Sequence, residues 1–326
     1  MLKVSFYSYK GGAGRSTTSW NTIQRLVEIM QPTEQNPFVI VDTDTESAGS
    51  TFLYKAKDTF WGDRPGMPPS VQKRMTLKDS TNYAKASDET KKAFFNNMHP
   101  VGGYFGLEAK RAVLLIGANL DRKSATEKAD TTGKNVGQLE NFTNNIKFAC
   151  EDCGAKALFF DTPAGTQALA ERSIEDSDIV VCCMRPTSQF REGTKDQLLA
   201  FVKRDFYDGD PKTYILTPTA VCVDEGQKFD GDIYPETGKK QILRYFSEDN
   251  LESEEEKIKK AFKNNVKLDM LMPEGDRVFG IPEVARFKWS EKCLGTVDKN
   301  ELTTSDKLAL TRYDVLAQTI LKYYEG

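Results

Sequence analysis

Histidine is almost missing from this chain: among 326 residues there is one, His99. A serine or cysteine hydrolase built on an imidazole base would have to use that side chain, and a multi-histidine metal centre cannot be assembled. His99 lies in the polar stretch NNMHPVGG with no partner motif beside it, and is expected to be a loop residue. Also missing is any run near the roughly 18 apolar residues that a membrane-spanning helix needs. The opening residues, MLKVSFYSYKGG, hold no apolar segment of the kind that directs secretion, so a cytoplasmic protein is expected. Six cysteines are few for the length and several sit in apolar runs, as in a reducing compartment. Excess charge of one sign is absent as well, because 45 Lys plus Arg against 48 Asp plus Glu leave a net −3. So even a balance gives no overall attraction to nucleic acid or anionic lipid. No internal repeat or low-complexity linker interrupts the chain.

What is present is a rhythm. Short apolar runs, rich in β-branched and aromatic residues, recur at Leu2–Tyr7, Phe38–Val41, Val113–Ile116, Ala157–Phe160, Ile179–Met184 and Tyr214–Leu216. Each is continuous rather than alternating, the pattern of strands covered on both faces of a parallel sheet. Helical spacing lies between several of them. Trp20, Ile23, Val27 and Met30 make one apolar face, and Leu308, Tyr313, Leu316, Ile320 and Tyr323 make another near the end. Strand alternating with helix predicts an α/β fold, a doubly wound and mostly parallel sheet flanked by helices. Two polar stretches, about 54–111 and 222–265, read as insertions on one domain spanning 1–326. The first holds one plausible helix, near SDETKKAFFNNM. In the second, Ser253 and Glu256 have capping-box spacing, and Glu255–Lys259 and Glu256–Lys260 are i,i+4 pairs on a solvated face.

The sharpest local signal is VSFYSYKGGAGRSTTSW, where the first strand ends. Gly11, Gly12 and Gly14 allow backbone conformations closed to other residues, so successive N–H groups can turn inward around an anion. The loop runs into a helix whose N-terminal dipole adds to that field. Ser16 supplies a hydroxyl for Mg²⁺, and Thr17 is within reach of an inner phosphate. The common phosphate-loop pattern G-x-x-x-x-G-K-[ST] is not met, because Tyr9 stands at its first glycine and Arg15 at its lysine.

KGGAGRST resembles the deviant Walker A motif, K-G-G-x-G-K-[ST], of the ParA/MinD family of P-loop ATPases. The resemblance implies the P-loop NTPase fold, ATP and Mg²⁺ as ligands, and residues 11–17 (Gly11, Gly12, Ala13, Gly14, Arg15, Ser16, Thr17) around the phosphates. Lys10 matches the family's signature lysine, which reaches across a nucleotide-sandwich dimer to the partner's phosphates. Arg15 departs from its second lysine. FVIVDTDTESAGST resembles the family's D-x-D-P-Q segment, with Asp42 and Asp44 as the two acids and Asp44 orienting the attacking water; Thr45 and Glu46 replace Pro and Gln. ALFFDTPAG resembles the Walker B and switch II segment, so Asp161 would hold Mg²⁺ through water and Gly165 would place its N–H near the γ-phosphate. YILTPTAV sits where an adenine-contacting Asn is usual, but offers Thr217 and Pro218. LDMLMPEGDRV resembles the base-flanking loop, with Pro273 beside adenine.

These likenesses imply an ATP-dependent switch that forms a nucleotide-dependent homodimer and engages a protein partner. Two alternatives stay open: a ligase or synthetase on the related fold, which does not need Lys10, and a scaffold that binds nucleotide without hydrolysis, raised by Arg15. Cys150 and Cys153 have CxxC spacing with no second pair, and are expected to be structural. The C-terminal LAQTILKYYEG is amphipathic but not basic, so core packing rather than membrane binding is expected. Lys239, Lys240, Arg244 and KIKKAFKNN offer basic residues to nucleic acid, but acids interleave with them.

Overall fold

The computed structural model describes the chain except for residues 45–48, 54–86, 119–135, 222–227, 230–231, 234–235, 248–250, 252, 272–278, 289–291 and 326. Its main sheet has eight strands in the order β10-β7-β6-β1-β5-β2-β4-β3, so the chain winds outward from β1 in both directions. The strands are β1 Leu2–Tyr7, β2 Phe38–Asp42, β3 His99–Pro100, β4 Val113–Ile116, β5 Ala157–Asp161, β6 Ile179–Met184, β7 Thr213–Pro218 and β10 Val266–Lys267. Strands β2, β4 and β5 pair in parallel, as do β6, β7 and β10, whereas β3 runs antiparallel to β4. A two-stranded hairpin, β8 (Lys228–Phe229) and β9 (Asp232–Ile233), stands apart. The expected doubly wound, mostly parallel sheet is therefore what forms. All six apolar runs are strands, and β2, β4, β5 and β6 are buried at every residue.

The chain divides into two compact units. The first comprises residues 1–5 and 27–177. Here alternate residues of three parallel strands (Val39, Val41, Leu114, Ile116, Leu158, Phe160) pack with Ile146, Ala149 and Cys150 of helix Val136–Asp152. On the opposite face Phe38 and Phe159 meet edge to face at 5.3 Å. The second unit comprises residues 6–26 and 178–326. Its helix Ser188–Asp208 lays Phe201 against Tyr7 and Tyr214, at 5.3 and 6.2 Å between ring centres, while the Tyr214 hydroxyl donates to Asp205 at 2.5 Å. Helix Thr304–Glu325 buries Tyr313, Leu316, Ala317 and Ile320, so its apolar stripe is spent on its own unit.

Three expectations are corrected. His99 is in no loop; it begins β3 and pairs with Leu115. The first polar stretch forms its helix at Asp88–Asn97, but it is not polar and solvated throughout: Met98, Val101 and Phe105 are buried, while residues 108–110 are exposed. The Ser253–Glu256 capping box does not form, because helix Glu256–Asn265 takes Glu255 as its N-cap without a side-chain bond. Lys259 pairs with Glu256 at 2.8 Å and Lys257 with Glu255 at 2.9 Å, and Ile258 and Phe262 are buried.

Candidate functional site

In the second unit the loop after β1 leads directly into helix Arg15–Met30. Gly12 and Gly14 have φ of +80° and +71°, values that residues with a Cβ adopt only with strain. The helix closes its first turn with Thr18 N–H donating to the Gly14 carbonyl at 2.9 Å. Lys10, Gly11, Gly12 and Gly14 are exposed, Ala13 is buried, and Ser16 and Thr17 are half-buried. Arg15 is only 8% exposed, so its charge is drawn in from solvent. Two side chains that the sequence did not flag hold the loop. Arg185, just past β6, donates from Nε to the Gly12 carbonyl at 2.8 Å, and the Thr219 hydroxyl, just past β7, donates to the Ala13 carbonyl at 2.5 Å. Tyr9 lies across Gly193, where an added Cβ would fall 2.0 Å from its ring. Thr217 turns its hydroxyl to the Ile215 carbonyl at 3.2 Å, within its own strand, and Pro273 lies outside the described residues.

In the first unit three carboxylates collect at the carboxyl ends of two neighbouring strands. Asp42 and Asp161 are register partners in β2 and β5, which places them side by side, and both are fully buried. Asp44, two residues on, is 4% exposed and donates its N–H to Asp42 Oδ1 at 3.1 Å. Hydroxyls from the short helix Gly49–Leu53 complete the group. Ser50 donates to Asp161 Oδ2 at 2.6 Å, and Thr51 gives both its N–H and its hydroxyl to Asp42 Oδ2 at 2.7 Å. Ala118 N–H in turn donates to Thr51 Oγ1 at 2.9 Å. Burial, and then the Asp161 carboxylate beside it, push the Asp42 carboxyl up to about 8 despite the Thr51 bonds. Carboxylates gathered in this way suit a divalent cation, whose charge would favour loss of the Asp42 proton. Among the described residues no group of three His, Cys, Asp or Glu is arranged to hold a metal ion by itself. Gly165, at φ +79°, turns the chain after β5. Thr45 and Glu46 lie outside the described residues. Ser50 and Thr51 had one faint signal, small polar residues eight and nine positions beyond the acid that ends the strand.

The remaining candidates are elsewhere. Cys150 and Cys153 are free thiols raised by burial, the first well above its usual range and the second to about 11, and Cys153 Sγ contacts the Cys150 carbonyl at 3.3 Å. Thiols held protonated in this way are poor metal ligands. Arg191 and Lys195 lie over the Tyr245 ring, but Glu192 and Asp196 act on the same ring, so this surface is mixed in charge. No described helix is long and apolar enough to cross a membrane.

No protein-family model matches the sequence, and no curated protein matches it. Solved structures do share its fold. They include apo McdA of Cyanothece, at TM-score 0.56 and 14% identity over 99% of both chains. Another is the cell division ATPase MinD of Pyrococcus furiosus, at 0.53 and 16% over 98% of both. A third is the cobyrinic acid a,c-diamide synthase of Mycobacterium smegmatis with bound ADP and magnesium, at 0.54 and 14% over 100% of this chain and 96% of that one. At such identities the likeness is one of fold: this chain shares the mostly parallel α/β fold of these structures.

Proposed function

We propose that the protein is an Mg²⁺–ATP-binding switch that hydrolyses ATP slowly and works as a nucleotide-dependent homodimer engaging a protein partner. The observation that carries this is the loop after β1, where two left-handed glycines precede a helix N-terminus, the build of an oxyanion cradle. In this reading the N–H groups of residues 11–17 and the Arg15 side chain bind the phosphates. Ser16, together with Asp161 through water, holds Mg²⁺, which when bound neutralises charge developing on the phosphate oxygens. Asp44 orients the attacking water, Gly165 follows the γ-phosphate, and Pro273 flanks the base. An exposed Lys10 supports the role in which its ammonium serves the phosphates of a second subunit. Arg15 keeps the positive charge of the usual lysine but in a planar fork, which favours binding over rapid turnover.

Fold does not separate this reading from a synthetase, because the synthase matches as well as the ATPase does. Lys10 separates them. Calorimetry with a slowly hydrolysed ATP analogue and Mg²⁺ is expected to show binding, and light scattering a shift from monomer to dimer that Lys10→Ala abolishes. If wild-type protein ignores the analogue, the reading fails; if Lys10→Ala dimerises and turns over ATP as wild type does, the switch gives way to the synthetase.

A further inference from the structure

The phosphate loop is open on its outer side. A Cβ added at Gly11 or Gly12 would meet nothing within 4 Å, so no wall of packed atoms fixes these peptides. The Gly12–Ala13 and Ala13–Gly14 peptides each have glycine on one side, where rotation of the peptide plane is cheap. Yet both of their carbonyls receive side-chain donors: Arg185 Nε at Gly12 O, 2.8 Å, and Thr219 Oγ1 at Ala13 O, 2.5 Å. Thr219 is itself anchored, with its N–H on the Met184 carbonyl at 2.8 Å. Its hydroxyl also lies 3.2 Å from that carbonyl, but it has one proton and the shorter contact takes it. These donors come from 173 and 206 residues away in sequence. The adjoining backbone carries a further sign of constraint, Ala220 at φ +51°.

In a trans peptide the C=O and the following N–H point in opposite directions. Pinning the Gly12 carbonyl outward therefore turns the Ala13 N–H the other way, and pinning the Ala13 carbonyl does the same for the Gly14 N–H. We infer that Arg185 and Thr219 are positioning residues of the phosphate loop, which pre-orient the Ala13 and Gly14 amides toward a bound oxyanion by holding the carbonyl on the far side of each peptide. The inference rests on reading the loop as an oxyanion site. Neither side chain need touch the ligand. Their effect lies in the reorganisation that binding no longer requires.

The test is pyrophosphate binding, with Mg²⁺, to wild type, Arg185→Met, Thr219→Val, the double variant and Thr219→Ser. Each single change is expected to weaken binding about three- to tenfold and the double about 10- to 100-fold, while Thr219→Ser, which keeps the hydroxyl, stays near wild type. The losses persist at about 0.5 M salt, where attraction through space by the Arg185 charge is screened. In amide NMR spectra, pyrophosphate moves the Ala13 and Gly14 protons downfield in wild type and much less in the double variant. Equal affinity in wild type and double variant overturns the inference and leaves the proposed function standing. So does a loss that salt abolishes, or one matched by an equal loss of ligand-free stability. Failure of wild type to bind either pyrophosphate or the ATP analogue removes the oxyanion site and the inference together.

Discussion

The two units prepare for opposite charges by opposite means. In the first, side chains do the work: Asp42, Asp44 and Asp161 are buried and restrained by Ser50 and Thr51, and burial beside Asp161 makes Asp42 hold its proton. In the second, the backbone carries the larger share: the loop gathers peptide dipoles, two glycines supply the geometry, and Arg185 and Thr219 hold its carbonyls. The contrast teaches how each half should respond to mutation. Carboxylates crowded together are sensitive to charge and pH, and a loop of peptide dipoles is sensitive to shape.

The largest effect should come from removing a carboxylate. Asp161→Ala is expected to lower Mg²⁺-dependent ATP turnover about 10²–10³-fold, the scale of losing one well-placed stabilising group, while Mg²⁺-free nucleotide binding survives. Steady-state kinetics beside calorimetry checks it, and an equal loss in both would make Asp161 structural. Shape in the second unit is probed by Gly193→Ala, whose new methyl collides with the Tyr9 ring. Denaturant unfolding should show about 1–3 kcal/mol of destabilisation, largely relieved in combination with Tyr9→Ala.

Charge in the first unit has a pH signature. Asp42 is raised from 3.8 to about 8, so the folded protein holds a proton that the unfolded chain releases near pH 4. Stability of the nucleotide- and Mg²⁺-free protein should therefore fall as pH rises from about 4 to 8 and level off above. Asp42→Asn should flatten that slope in melts across the window; an unchanged slope would place the titration elsewhere. The smallest effect belongs to Arg15→Lys, which exchanges one cation for another beside the loop. Turnover should rise a few-fold or stay level with affinity intact, and a collapse would mean that the site is built around the guanidinium.

Much of the fold was legible because burial on both faces of a parallel sheet leaves unbroken apolar runs, and every such run became a strand. Less was legible where polarity is buried. The first helix keeps Ile23 and Val27 inside as its spacing predicted, but Trp20 and Met30 are only half-buried, while Ser19, Asn21 and Thr22 are buried. Asn21 shows why: its amide donates to the Thr17 carbonyl and its oxygen accepts from Leu294 N–H, bonds no hydropathy pattern can display. Two-residue strands such as β3 and β10 are too short to carry a period, and Pro100 at a sheet edge argues against a strand until its neighbour β4 is known.

By itself the sequence determined the order of strands and helices, the glycine loop after the first strand and the two acid-ending strands, because these depend on contiguous residues. Only the tertiary structure decided that Asp42 would lie beside Asp161 and keep its proton, since strand register sets that pairing across a separation of 119 residues. It alone decided, too, that Arg185 and Thr219 would grip the loop's carbonyls. A hydrogen bond needs donor and acceptor within about 3 Å, and no spacing rule along a chain can promise that at separations of 173 and 206 residues.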